Sequence, residues 1–309
     1  MIVWATHPRH LPAVPPVGRV AVVDVAFAAG KEWRSKSLAF AHALGDRLVA
    51  WVDHHEHPEA WAHVKNDARY VLVRNREAHA CPELVTPELV TGAGKIDVVV
   101  AHCDFDGAIA AVKWLRGGKA PWPEADEDAR AVDSPGRGHS LSPFGARIAG
   151  AMDEASASYS REKLLALMTA IATALTNNDF SPGLDDEIDR LARAAAAAAA
   201  RDRALAQSHG KLEAPGVFVV RVGKKPDNRS RRNFLLYAEE QAAIGVLHEP
   251  DPKGGFWMIA ATFQEDINLE HAAGFDGGRS DYRFAHTSHD GADLVADLSR
   301  LSQKSTSST

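Results

Sequence analysis

Two short clusters of potential metal ligands, Val52-Asp53-His54-His55-Glu56 and Ala101-His102-Cys103-Asp104-Phe105-Asp106-Gly107, each close an apolar run of the chain. Carboxylate and imidazole together suit Mn²⁺, and also Mg²⁺, while the scarcity of thiolate donors argues against a structural zinc site. Paired cations of this kind serve phosphoester chemistry. A third signal is Asp24, set inside the apolar run Arg19 to Phe27. A buried carboxylate without a partner costs several kcal/mol, so Asp24 calls for a cation.

The apolar runs are the elements that must position these groups. Arg19 to Phe27, Arg47 to Val52, Tyr70 to Val73 and Ile96 to Ala101 read as strands covered on both faces. A helical stretch at Ser37 to Leu44 stops at Gly45, and Gly107 opens another helix. Strands alternating with helices predict an α/β fold, a mostly parallel sheet with flanking helices, and ligands of such sheets gather beyond the carboxyl ends of the strands, where both clusters fall. Side chains alternate across a strand, so His102, Asp104 and Asp106 are expected on one face and Cys103 and Phe105 on the other. Gly107 would then let the backbone turn away without a Cβ at the mouth.

Helical patterns follow at Arg161 to Asn178 and Leu184 to Ser208, the second containing the alanine run Ala194 to Ala200, which reads as a long connecting helix. A second β-rich region starts at Gly216 and continues at Phe256 to Phe263. The expected organisation is a metal-binding catalytic domain over 1–180, a connecting helix over 181–211, a smaller α/β substrate-binding domain over 212–301 and a polar, frayed tail over 302–309.

Composition narrows the partners. A formal net charge of -6 gives no global attraction for a polyanion, so duplex DNA is a poor partner and any nucleic-acid contact must be local. Cys81 and Cys103 are not in a paired spacing, which fits a reducing, cytoplasmic setting. No stretch approaches the roughly 20 apolar residues of a membrane span.

On its two motifs the sequence resembles the DHH phosphoesterase superfamily, which includes single-strand exonucleases, oligoribonucleases, cyclic dinucleotide phosphodiesterases and manganese pyrophosphatases. In that family an Asp/His-x-Asp-x-Asp-Gly strand end, a lone strand Asp, the Asp-His-His triplet and a later Asp hold two Mn²⁺ ions. The resemblance implies that His102 and Asp104 hold one metal, that Asp106 and His54 hold the other, and that Asp24 bridges them. Asp53 would orient the cluster and His55 would face the scissile phosphate. Here Asp24 and Asp53-His54-His55 precede the Asp-x-Asp-Gly segment, so the motif order is permuted. The last ligand is expected at Asp133, at the end of a further strand, with Asp179 as the reserve.

Gly274-Phe275-Asp276-Gly277-Gly278-Arg279-Ser280 resembles the glycine-rich substrate loop of the small domain that accompanies many DHH catalytic domains, with Gly277, Gly278 and Arg279 as the substrate-binding residues. The family more often has His and Pro after these glycines. A basic run from Arg221 to Arg232 could steer a short anionic substrate if it faces the cleft. His57, His63, His79 and His139 have no comparable spacing and read as core or surface residues; Trp51, Trp114 and Trp257 read as packing residues. The implied function is a two-metal phosphoesterase that hydrolyses short single-stranded oligonucleotides or small nucleotide phosphoesters in an interdomain cleft. The alternatives are an inorganic pyrophosphatase or polyphosphatase, and a non-catalytic nucleotide-binding homologue.

Overall fold

A computed structural model describes residues 1–15, 17–27, 30–136, 138–251, 254–264, 266–269, 276–278, 284–287 and 292–306. The chain divides into two compact units, the first formed by Met1–Ser134 and His139–Arg193, the second by Pro135–Gly138 and Ala194–Thr309.

The first unit is built on five parallel strands: β1 (Ile2–Ala5), β2 (Val20–Val23), β3 (Leu48–Asp53), β4 (Tyr70–Leu72) and β5 (Val98–His102), in the order β1-β5-β2-β3-β4. β2 shows why the strands read as continuous apolar runs. Val20 and Val22 pack with Trp33, Phe40, Leu44, Leu48 and Trp51, whereas Ala21 and Val23 pack with Ile109, Ile148, Met168 and Ile171 on the opposite face. Burial on both faces removes any polar alternation.

The helices that cover these faces are α1 (Ala39–Leu44), α2 (Pro58–Val64), α3 (Pro87–Ala93), α4 (Phe105–Leu115), α5 (Ala125–Asp133), α6 (Pro143–Ser158) and α7 (Arg161–Asn177). Gly45 caps α1 at φ +58°, in the left-handed region that the stop signal anticipated. Helix α4 is central: all of Phe105 to Trp114 is buried, and its small residues Gly107, Ala108, Ala110 and Ala111 let it lie close to the sheet. Trp51 and Trp114 are buried as expected for packing residues, and the Trp51 indole N–H donates to the Val25 carbonyl at 2.9 Å.

The long α8 (Pro182–His209) begins in the first unit and ends in the second. The second unit contains β6 (Gly210–Ala214), β7 (Val217–Arg221), α9 (Asn228–Gln241), β8 (Ile244–Pro250), β9 (Phe256–Ala261), β10 (Asp276–Gly278), β11 (Phe284–Thr287) and α10 (Ala292–Thr306). Its sheet order is β10-β11-β9-β8-β7-β6, antiparallel apart from β7 against β8. The architecture is therefore α/β throughout, with a mostly parallel first sheet and a second, smaller α/β unit.

Three local expectations are corrected. The segment ending at Asp133 is helix α5 and not a strand, because three carboxylates (Asp126, Glu127 and Asp128) occupy its first turn, where the helix dipole favours them. The polar tail expected from Ser302 is helical through Thr306; Ser302 is buried and its hydroxyl donates to the Pro215 carbonyl. Helix α6, which the sequence reading passed over, is capped by Ser142, whose Oγ accepts from the Gly145 amide at 2.9 Å. Among the described residues no helix is long and apolar enough to cross a membrane.

Candidate metal centre

The candidate ligands meet at the carboxyl ends of β2, β3 and β5. β2 stops at Val23, and Asp24 turns out of the sheet at φ +57°, a left-handed conformation that few non-glycine residues adopt and that Asp tolerates better than most. Its amide donates to the Val52 carbonyl at 2.9 Å, which ties the bend to the neighbouring strand. β3 delivers Asp53, with His54 and His55 directly after it.

β5 ends at His102, which corrects the expectation that His102, Asp104 and Asp106 share one strand face. Asp104 is the N-cap of α4, its Oδ1 accepting from the Gly107 amide at 3.2 Å, and Asp106 sits in the first turn of that helix. The three converge because the chain changes from strand to helix between them. Gly107 is needed for a reason more specific than a clear mouth: a Cβ there would stand 2.5 Å from the His102 carbonyl oxygen, 2.8 Å from Asp104 Oδ1 and 3.0 Å from Asp24 Oδ2.

Three groups of donor atoms result: Asp24 with His102 and Asp104, His54 with Asp106 and Asp133, and Asp24 with His54 and His55. Asp24 and His54 each belong to two of them. His54 Nε2 lies 3.5 Å from Asp24 Oδ1, 3.6 Å from Asp106 Oδ2 and 3.6 Å from Asp133 Oδ2. His102 Nδ1 lies 3.6 Å from Asp24 Oδ2 and 2.5 Å from Asp104 Oδ2. Separations of 3.5–3.6 Å exceed a good hydrogen bond. They fit donors around one cation at about 2.1 Å, whose neighbours stand about 3 Å apart and whose opposite pairs about 4.2 Å.

Several buried atoms have no hydrogen-bond partner: both Asp24 carboxylate oxygens, His54 Nε2 and Asp53 Oδ2. The first three lie within the donor groups just described. Leaving them bare costs several kcal/mol, which a divalent ion would offset, so the residues present fit a metal. The other nitrogen of His54, Nδ1, faces the Ala78 carbonyl at 3.0 Å, the arrangement that turns Nε2 toward a cation. His55 Nδ1 is held by Asp53 Oδ1 at 2.9 Å, leaving Nε2 of this part-exposed ring for another partner.

The electrostatics describe a site short of positive charge. Burial opposes ionisation of Asp24, but the His102 and His54 imidazoles outweigh it and hold the carboxyl below its ordinary range. Burial likewise opposes charge on His54, yet Asp133, Asp24 and Asp106 push it well above the usual imidazole value. For His102 the carboxylates of Asp104 and Asp24 overcome burial and push it up to about 12. Asp106 is raised well above the carboxylate range, first by burial and then by repulsion from Asp24, Asp104 and Asp133.

All the first-unit residues expected to act together, Asp24, Asp53, His54, His55, His102, Asp104, Asp106 and Asp133, are thus gathered in one place. Asp179 follows α7 and joins none of the donor groups among the described residues. Sequence reasoning missed two backbone groups, the Ala78 carbonyl that orients His54 and the Cys81 amide that donates to Asp106 Oδ2 at 3.3 Å, for which no side-chain signal exists. It also missed that His79 and His139 are hydrogen-bonded at 2.8 Å. In the second unit, Gly277 and Gly278 belong to strand β10, and Arg279 lies outside the described residues. Two arginines of the basic run are engaged locally, Arg221 with Glu213 at 2.9 Å and Arg231 with Glu249 at 2.7 Å, while Lys224 and Lys225 are exposed.

No protein-family model matches the chain, and no curated protein matches it. Solved structures similar to it include a pGpG-specific phosphodiesterase from Vibrio cholerae (13% identity, TM-score 0.48, covering 94% of this chain and 100% of that one). An exopolyphosphatase-related protein from Bacteroides fragilis (12%, 0.40, 92% and 71%) and the exonuclease RecJ bound to manganese (14%, 0.43, 93% and 75%) are also similar. At these identities and scores none of them bears on the activity, substrate or metal of this chain, which must be argued from its side chains.

Proposed function

We propose that this protein is a two-metal phosphohydrolase of the DHH type, acting on short oligonucleotides or small nucleotide phosphoesters. The observation that carries the reading is the sharing of Asp24 and His54 among the donor groups, with both Asp24 oxygens and His54 Nε2 buried without hydrogen-bond partners. Asp24, His102 and Asp104 would hold one divalent ion and His54, Asp106 and Asp133 the other, with Asp24 placed to serve both. Mn²⁺ suits this mixture of carboxylate and imidazole best, with Mg²⁺ a second choice. Bound there, two such ions would supply Lewis acidity to a phosphoryl oxygen and acidify a water molecule near neutral pH.

The chain's own residues do the rest. Asp53, buried beside His55, fixes that imidazole through Nδ1, so Nε2 can donate to a phosphoryl oxygen. The Ala78 carbonyl fixes His54 in the orientation that leaves Nε2 as donor to a cation. Asp104 does double duty, capping α4 through Oδ1 while Oδ2 faces His102. Gly277, Gly278 and Arg279 are proposed to bind phosphate, and together with the basic run they are the basis for preferring a nucleotide over pyrophosphate, since they suggest more than one phosphate contact. The test is a panel of short RNA, short DNA, cyclic dinucleotides, phosphoadenosine phosphate and pyrophosphate, run on metal-stripped protein with and without Mn²⁺. Metal-dependent hydrolysis of a nucleotide substrate, lost in Asp106→Ala, is expected. Hydrolysis of pyrophosphate alone would overturn the substrate class, and normal turnover by Asp106→Ala would overturn the metal assignment.

A further inference from the structure

Helix α5 presents Asp133 from its last position, where the helix dipole is unfavourable to a carboxylate. Something must hold it 3.6 Å from His54 Nε2. Asp126 and Asp128 tie α5 to Lys113, Trp122 and Ser142, and three further restraints, nearer its C-terminal end, run to one short segment, residues 78–83. The Ser134 hydroxyl donates to the His79 carbonyl at 2.9 Å. Arg130, on α5, donates to Glu83 Oε2 at 2.7 Å, and the other oxygen of Glu83 accepts from the Ala80 amide at 3.0 Å. Glu127, also on α5, accepts from His139 Nδ1 at 3.1 Å, and His139 Nε2 meets His79 Nδ1 at 2.8 Å.

An ionised Glu127 can only accept, so His139 Nδ1 is the donor to it. The same segment supplies the Ala78 carbonyl that orients His54. Two donors for one ion, His54 Nε2 and Asp133 Oδ2, are therefore both referenced to residues 78–83: one through a backbone carbonyl, the other through α5 and its ties.

The geometry points to His139 as a positioning residue for the second metal ion: through His79 and Glu127 it braces α5 against residues 78–83 and sets the spacing of Asp133 from His54. This inference rests on the two-metal reading above, but concerns only the His54–Asp106–Asp133 ion. None of Asp24, His102 and Asp104, which would hold the other ion, lies on α5, so loss of the brace should act first on the second ion, which general destabilisation would not.

The experiment is calorimetric titration of metal-stripped protein with Mn²⁺, for wild type, His139→Ala and His139→Gln, with amide exchange over residues 78–84 and 127–134 measured on the same metal-free samples. Removal of an outer-shell partner weakens metal affinity by about 10–100-fold. His139→Ala should lose that much for one of two Mn²⁺ equivalents, keep the other within about twofold, and exchange faster over both segments; His139→Gln, which can keep a link to Glu127, should recover part of the loss. Glu127→Gln provides a milder break should His139→Ala fail to fold. Two equivalents bound by a folded His139→Ala protein with wild-type affinities, or unchanged exchange at residues 127–134, would overturn the inference and leave the metal centre standing. A wild-type protein that takes up no Mn²⁺ would instead overturn the metal reading, and this inference with it.

Discussion

Gly107→Ala isolates the contribution of close packing at the metal centre, because helix propensity and sterics act there in opposite directions. Gly107 lies in the first turn of α4, and alanine in a helix is favoured over glycine by about 1 kcal/mol. The added Cβ, however, would stand 2.5 Å from the His102 carbonyl oxygen, a backbone atom fixed by the Ala5–His102 register of β1 and β5, and 2.8 and 3.0 Å from carboxylate oxygens of Asp104 and Asp24. Overpacking of this sort costs about 1–3 kcal/mol, so after the propensity gain a net loss of about 0–2 kcal/mol is expected in the metal-free protein. Two proposed ligands are displaced at the same time, and Mn²⁺ affinity should fall by about 10–100-fold, as it does when a ligand's support is removed. Gly92→Ala is the control: its Cβ meets nothing within 4 Å, and a gain of about 0.4–1 kcal/mol is expected. Denaturant unfolding in EDTA followed by Mn²⁺ titration reads both effects. A Gly107→Ala protein as stable as Gly92→Ala, with unchanged Mn²⁺ affinity, would refute the packing described at the strand ends.

Metal uptake should release protons, since carboxylates push His102 up to about 12 and raise His54 well above its usual value; apparent Mn²⁺ affinity should therefore rise from pH 6 to pH 8, by about tenfold per unit for each proton displaced. With its folded value raised, His102 lends the metal-free protein a stability that is complete below about pH 6.5 and declines as pH rises toward 12, so melting in EDTA should occur at lower temperature at pH 9 than at pH 6. His55→Ala should keep both Mn²⁺ equivalents but lose about 10²–10³ in kcat, the cost of removing one donor to a developing oxyanion; unchanged kcat would remove the role given to His55. Burial raises the Cys81 thiol well above its ordinary value and Cys103 to about 11, so the native protein should show no fast-reacting thiol at pH 8, and a fast one would contradict their surroundings.

Most of the candidate centre was legible because its side chains follow strands whose apolar runs are unambiguous. Asp24, Asp53, His54 and His102 come at or just after the ends of β2, β3 and β5, and a parallel sheet brings such ends together. What the sequence concealed lies where local pattern and tertiary role part company. Asp104 and Asp106 continue an apparent strand period, but an N-cap carboxylate and an acidic first turn start a helix there instead. Asp133 reaches the donor cluster from the end of α5 rather than from the strand expected there. The Ala78 carbonyl and the His79–His139–Glu127 chain depend on contacts across 12 to 60 residues, which no spacing rule reaches. In the second unit the polar composition from Ser302 masked a helix whose serines bond to the Pro215 carbonyl.

The central claim is that paired cations occupy the space among Asp24, His54, His102, Asp104, Asp106 and Asp133. Anomalous scattering from crystals grown with Mn²⁺ tests it most directly: two peaks about 3.5–4 Å apart, with Asp24 touching both, are expected. A single peak, or manganese bound away from these six residues, would contradict it.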